Sequence, residues 1–247
     1  MGKMNASPPI KVMPLGDSIT AGTDQRASYR CRLYQELTAA GYHVDFVGSV
    51  HGQWGVLSAK QTAPPAYCDM VDQNHEGHSG WALYHILAGV PASWAGNLQT
   101  WAAAYVPDVV LVHLGTNNFV YGPPEYPAPD VDAAISQLGQ VIDTLRAANA
   151  QVKILLAQIT PSKFSSATLA MIPQYNARIP DLAASKASPF SPIVVVDQYT
   201  GFDVNADTQD GTHPGPSGEA KMAAKWKAGF DQIMKPRFRT FIPNVVQ

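Results

Sequence analysis

Five short apolar runs recur along this chain, and each is continuous rather than alternating. They are IKVMPLG at 10–16, VDFVGS at 44–49, DVVLVHLG at 108–115, KILLAQI at 153–159 and PIVVVD at 192–197. A strand with one wet face alternates apolar and polar residues, whereas a strand covered on both faces has no reason to. Between the runs lie segments with helical spacing, clearest at 29–40, 130–148, 171–186 and 217–234. In the second of these, Val131, Ile135, Leu138, Val141, Ile142 and Leu145 fall on one stripe. Strands that alternate with helices argue for a parallel sheet with helices on both faces. Right-handed crossovers then leave few ways to connect it. The expected fold class is therefore α/β: a three-layer α/β/α domain on a five-stranded parallel sheet in the order 2-1-3-4-5. No repeat or linker interrupts the pattern, so one domain is expected over residues 1–247.

That topology says where function should sit. In open α/β sheets the site lies beyond the carboxyl ends of the strands, near the switch point between strands 1 and 3. The residues that follow run one are Asp17 and Ser18, and those that follow run three are Thr116, Asn117 and Asn118. Ser18 stands on a turn flanked by Gly16 and Gly22. It could cap a helix, or it could be a nucleophile. The stretch is not a Gly-x-Ser-x-Gly elbow. It lacks the lysine and the glycines of a phosphate loop.

A serine nucleophile needs a base, a group that orients the base, and donors for the oxyanion. DGTHPGPSG at 210–218 supplies the first two: Asp210 and His213 are three residues apart, so their side chains can meet on one turn. DQNH at 72–75 has the same spacing but lies in a stretch that no strand end fixes, and ranks lower. HEGH at 75–78 suggests a metal, yet it lacks the His-Glu-x-x-His spacing and has no nearby cysteine, so no metal is expected. For the oxyanion, the side chain of Asn117 and the backbone N–H groups of Gly80 and Ser18 are the expected donors. His113, inside run three, reads as a satisfied buried histidine or a support for Asn117. Arg30 and Arg32 read as solvated residues of the first helix, and Trp101 and Trp226 as core.

The four blocks GDSIT, GHSG, GTNN and DGTH resemble those of the SGNH, or GDSL, hydrolase family, here through Ser18, Gly80, Asn117 and His213. The resemblance runs from Val12 to about Lys225. MPLGDSIT, VDFVGS, HEGHSGW and DGTHP are further similar to carbohydrate esterase family 3, the acetylxylan esterases. It implies a flavodoxin-like domain and metal-free, cofactor-free ester hydrolysis, with Ser18, Asp210 and His213 catalytic. One position departs: Asn118 stands where the family usually has Asp, a residue expected to support the local turn, which Asn could also do.

Composition narrows the substrate. A net charge of −2 gives no field for nucleic acid or an anionic membrane. No apolar run approaches the roughly 20 residues of a membrane span. No lid helix or amphipathic stretch suits a lipid interface, so short acyl groups are expected, acetate first, on a carbohydrate. Trp81 is the first expected sugar-stacking side chain, with Tyr84, Tyr121 and Trp54 as weaker candidates, and the Pro- and Tyr-rich segment 119–131 is expected to be either a cleft wall or a plain surface loop. The alternatives are a short-chain arylesterase, thioesterase or lysophospholipase of the same fold, and a non-catalytic carbohydrate-binding relative. A monomer is expected. The start, MGKMNASPPI, has no hydrophobic signal core. The charged fraction of 15% is low against about 25% in typical domains; the scarcity of Lys and Glu favours an extracellular enzyme whose leader has been removed over a cytoplasmic one. Cys31 and Cys68 are two separate thiols or, on export, one disulfide closing about 38 residues and worth about 4 kcal/mol in the chain-entropy model.

Overall fold

The computed structural model describes residues 7–22, 28–54, 61–62, 72–91, 95–120 and 127–235, with the backbone alone at 53–54 and 61–62. Strand β1 (Ile10–Gly16) runs into the short helix α1 (Ser18–Ala21), and α2 (Ser28–Ala39) leads back to β2 (Val44–Phe46). Short strands β3 (Val50–His51), β4 (Gln53–Trp54), β5 (Gln61–Thr62) and β6 (Asn74–Gly77) follow, then helices α3 (Leu83–Ala88) and α4 (Leu98–Tyr105). Strand β7 (Val109–His113) leaves through a 3-10 turn (Thr116–Phe119). The chain continues through α5 (Val131–Ala148), β8 (Lys153–Gln158), α6 (Ser166–Lys186), β9 (Ile193–Asp197) and α7 (Pro216–Met234).

The parallel order 2-1-3-4-5 is present, but the strand count differs from five. The sheet has seven strands, in the path β3-β6-β1-β7-β8-β9 with β2 also on β1. The second position is shared. β2 pairs the start of β1, from Ile10↔Val44 to Val12↔Phe46. β6 pairs its end, at Leu15↔Glu76 and Gly16↔Gly77. β3 adds an antiparallel edge. VDFVGS is therefore a strand only as far as Phe46. At Gly48 the chain passes so close to β6 that a Cβ would lie 2.2 Å from the His75 carbonyl oxygen.

Successive strand residues face opposite helical layers. Met13, Leu15, Val110, Val112, Ile154 and Leu156 pack with residues of α3, α4, α5 and α6. Val12, Val109, Leu111, Leu155, Val194 and Val196 pack with α2 and α7. Trp101 belongs to the first layer and Trp226 to the second. Helix α6 begins five residues before the expected 171, because the Ser165 side chain caps the Thr168 N–H and starts it there.

Arg30 departs from the expected solvated position. It is 2% exposed. Its guanidinium donates to the carbonyls of Thr20, Ala21, Gly52 and Gln73 at 2.8–3.1 Å. Four fixed acceptors let a planar cation stay inside the fold, and burial still lowers its pKa to about 10. Arg32, on the same helix, is half-buried. Cys31 is disulfide-bonded; the chain's other cysteine, Cys68, lies outside the described residues. Among the described residues no helix is long and apolar enough to cross a membrane.

Candidate active site

The carboxyl end of β1 is shaped by two glycines that face each other across the sheet. A Cβ on Gly16 would lie 2.1 Å from Thr20 Oγ1, and one on Gly77 2.5 Å from the Ala21 nitrogen. Only bare backbone lets α1 sit this tightly on the strand ends. Asp17, not Ser18, caps that helix, its Oδ1 accepting the Ile19 N–H at 2.9 Å. The Asp17 carboxyl is fully buried, and loss of hydration pushes its pKa up to about 6. Relieved of capping, the Ser18 hydroxyl is only half-buried.

His213 reaches this serine from the loop before α7. Its Nε2 lies 2.9 Å from Ser18 Oγ. Its Nδ1 lies 2.7 Å from Asp210 Oδ2. The other oxygen of Asp210 accepts the backbone N–H groups of Thr212 and His213 at 3.0 and 2.8 Å. One carboxylate thus fixes both the loop and the ring. Burial raises the Asp210 pKa, but the N–H, ring and charge of His213 and the N–H of Thr212 outweigh it and leave the pKa below the usual value. The loop is tied down further by Lys163 N–H on the Gly211 carbonyl and by the Ser162–Thr212 hydroxyl pair. With Nδ1–H held by a carboxylate, Nε2 is free to accept a hydroxyl proton. A small pocket of about 20 Å³ lies beside Ser18 and His213, lined also by Ile19, Gly22 and Glu219.

Gly80 and Asn117 meet through Trp81. The Trp81 N–H donates to the His78 carbonyl at 3.1 Å, closing a four-residue turn in which Gly80 takes φ +79°. Among the described residues no atom lies within 4 Å of where its Cβ would be. The Asn117 amide donates to the Trp81 carbonyl at 3.0 Å. Its second hydrogen meets Asp17 Oδ2 only at 3.5 Å, which leaves it able to turn to a better acceptor. Asn118 accepts the Leu83 N–H at the start of α3 and donates to Gln137. It performs the expected turn-supporting task.

Other sequence expectations fall elsewhere. Trp81 is half-buried, stacked on His78 with ring centroids 4.6 Å apart. Tyr84 sits on α3, half-buried against His85. Tyr121 and 121–126 of the Pro- and Tyr-rich segment lie outside the described residues, as does the side chain of Trp54. Asp72 and His75 do not pair: Asp72 accepts the Phe46 and Asn74 N–H groups. His75 accepts the Gly77 N–H and meets the Gly52 carbonyl, so both its ring nitrogens are occupied. His113 is buried but not satisfied. Its Nε2 meets the Thr160 N–H at a weak 3.4 Å, and Nδ1 has no partner among the described residues. Burial lowers its pKa to about 4. Sequence reasoning missed Arg30, whose hydrogen bonds to the Thr20 and Ala21 carbonyls brace the end of α1.

The chain matches the family model described as GDSL-like Lipase/Acylhydrolase over residues 15–221. It is 28% identical over 244 residues to a multidomain esterase of Ruminococcus flavefaciens, covering 94% of this chain and 30% of that protein. The chain thus spans under a third of that relative's length. Among solved structures it is similar to a carbohydrate esterase family 3 protein from Talaromyces cellulolyticus, at 31% identity and a TM-score of 0.71, over 90% of this chain and 97% of that one. A Clostridium thermocellum family 3 carbohydrate esterase gives 31% and 0.70 over 92% and 98% of the two chains. A serine-to-alanine mutant of an acetyl esterase, solved with an acetate ion, gives 31% and 0.71 over 90% and 97%.

Proposed function

This chain belongs to the GDSL-like lipase/acylhydrolase family and is a carboxylic ester hydrolase, and we propose that it removes short acyl groups, acetate first, from acetylated xylan or a related carbohydrate. The observation that carries this reading is the hydrogen-bonded series Ser18–His213–Asp210. Ser18 Oγ attacks the ester carbonyl as His213 Nε2 takes its proton, forming a tetrahedral oxyanion. The N–H groups of Ser18 and Gly80 and the Asn117 amide hold that charge. His213 returns the proton to the leaving alcohol as the C–O bond breaks, leaving an acyl-enzyme on Ser18. Water, deprotonated by the same imidazole, then releases the acid and restores the serine.

Two observations support a short acyl group on a sugar. The similar structures include family 3 carbohydrate esterases and an acetyl esterase bound to acetate. Half-buried Trp81 and Tyr84 remain the aromatic rings offered for sugar stacking. The disulfide at Cys31 suits an oxidising, extracellular setting. The test is acetate release from a panel of acetylated polysaccharides, with Ser18→Ala as control. Serine-dependent release from xylan is expected; negligible release together with a preference for long-chain aryl esters would overturn the substrate assignment.

A further inference from the structure

Behind the turn that carries Gly80 lies a buried polar pair that the acyl transfer does not use. Glu76, on β6, has no exposed surface, and His78 is 6% exposed. His78 Nε2 lies 2.8 Å from Glu76 Oε2. The Ser49 hydroxyl donates to the same oxygen at 2.9 Å, and the Ser49 N–H to Oε1. The His78 ring is held between two indoles, with centroids 4.6 Å from Trp81 and 4.4 Å from Trp101. Burying a carboxylate is costly unless it is fully hydrogen-bonded. Here its donors come from Ser49, just before β3, and from His78, the residue that follows β6.

The backbone of the same histidine is tied to both halves of the site. Its N–H donates to the Gly16 carbonyl at 2.9 Å, next to Asp17 and Ser18. Its carbonyl accepts the Trp81 N–H and so closes the turn around Gly80. The Trp81 carbonyl in turn holds Asn117. We propose that the Glu76–His78 pair is a positioning device for the oxyanion donors, setting where the Gly80 N–H and the Asn117 amide stand relative to Ser18. It rests on the reading of Gly80 and Asn117 as those donors. Donors lower a barrier only if they are already aimed at where charge develops. Loosening this pair therefore weakens the transition state and leaves substrate binding in place, so the loss falls on kcat and not on KM.

Three variants test it with an activated aryl acetate, each checked for folding by near-ultraviolet circular dichroism. His78→Phe keeps a ring between the two indoles and removes the bond to Glu76. Glu76→Ala removes the acceptor, and Glu76→Gln restores a hydrogen-bonding group in the same place. His78→Phe and Glu76→Ala are expected to lower kcat by about tenfold or more with KM within about twofold, and Glu76→Gln to recover most of that loss. If His78→Phe does not fold, the two Glu76 variants decide. Folded variants with kcat within about twofold of the parent, or a loss confined to KM, would overturn the proposal. Fluorophosphonate labelling of the parent separates the underlying reading: no labelling at Ser18 removes the assigned nucleophile, and the positioning role falls with it.

Discussion

Ser18 Oγ stands 2.9 Å from His213 Nε2 across 195 residues of sequence. The serine follows the first strand and the histidine lies in the loop before the last helix, so the pair exists only once the whole sheet is assembled. Ser18→Ala and His213→Ala are each expected to lower ester turnover by at least about 10⁴-fold, and the double variant to be little worse than either, because the two residues act as one unit. Steady-state hydrolysis of an aryl acetate measures this. Turnover of Ser18→Ala within tenfold of the parent, or losses that multiply in the double variant, would remove the pair from the chemistry.

Two Asp-x-x-His segments compete in this chain, and the structure separates them. Asp210 holds its histidine at 2.7 Å, whereas Asp72 spends its oxygens on the N–H groups of Phe46 and Asn74. Asp210→Asn is expected to lower kcat by about 10²-fold with little change in KM. That is less than for a buried triad acid, because the Asp210 side chain is 55% exposed and water can partly replace it. Asp72→Asn is expected to lower stability and leave kcat within about threefold. Measuring kcat and urea midpoints on both variants decides the matter, and a large kcat loss in Asp72→Asn would reverse the assignment.

What the sequence discloses follows from how each residue is stabilised. Apolar strands buried on both faces announce themselves as continuous runs, so β1, β7, β8 and β9 and the residues at their ends could be read directly. Strand β6 could not, because Asn-His-Glu-Gly has no apolar pattern. His75 and Glu76 are buried there because Gly77 and His78, two residues on, and Gly52 and Ser49, from an earlier segment, together supply their partners. Arg30 was hidden for the same reason. Nothing local says that four carbonyls from three separate segments will surround its guanidinium. Asp210 was visible because its partner is three residues away and its carboxylate organises its own turn.

Asp17 carries a pH signature that Asn can remove. Burial raises its carboxyl to about 6 in the folded chain, against about 3.9 when exposed. A raised folded pKa means that the native state binds the proton more tightly. Its contribution is complete below the unfolded value and is lost as pH rises through about 6, a swing of about 3 kcal/mol. Asn keeps an oxygen for the Ile19 N–H and carries no charge. Asp17→Asn turns an amide toward the Asn117 N–H that meets Asp17 Oδ2, a cost that does not vary with pH, so its stability relative to the parent is expected to rise by about 3 kcal/mol between pH 4 and pH 8. The buried His75 and His113, whose pKa values are lowered, act in the opposite direction over this range. They are common to both proteins and cancel in the difference. Urea unfolding at the two pH values tests this, and a difference independent of pH would show that the carboxyl is not held protonated by burial.

Asn118 stands where the family resemblance of the third block implies Asp, and its contacts say what each residue would do there. Its oxygen accepts the Leu83 N–H at 2.9 Å at the start of α3, and its amide donates to Gln137 at 2.9 Å. Aspartate would keep the first bond and strengthen it, since a negative charge is favourable at a helix N-terminus. It would lose the second, but the Gln137 amide can turn and donate instead. Asn118→Asp is therefore expected to change stability by less than about 1 kcal/mol and to leave kcat on an aryl acetate within about twofold. Asn118→Ala strands the Leu83 N–H and is expected to cost about 1–2 kcal/mol. Thermal and urea unfolding of the two variants separate the contributions. If Asp proves as costly as Ala, the bond to Gln137 rather than the helix start is what this position holds.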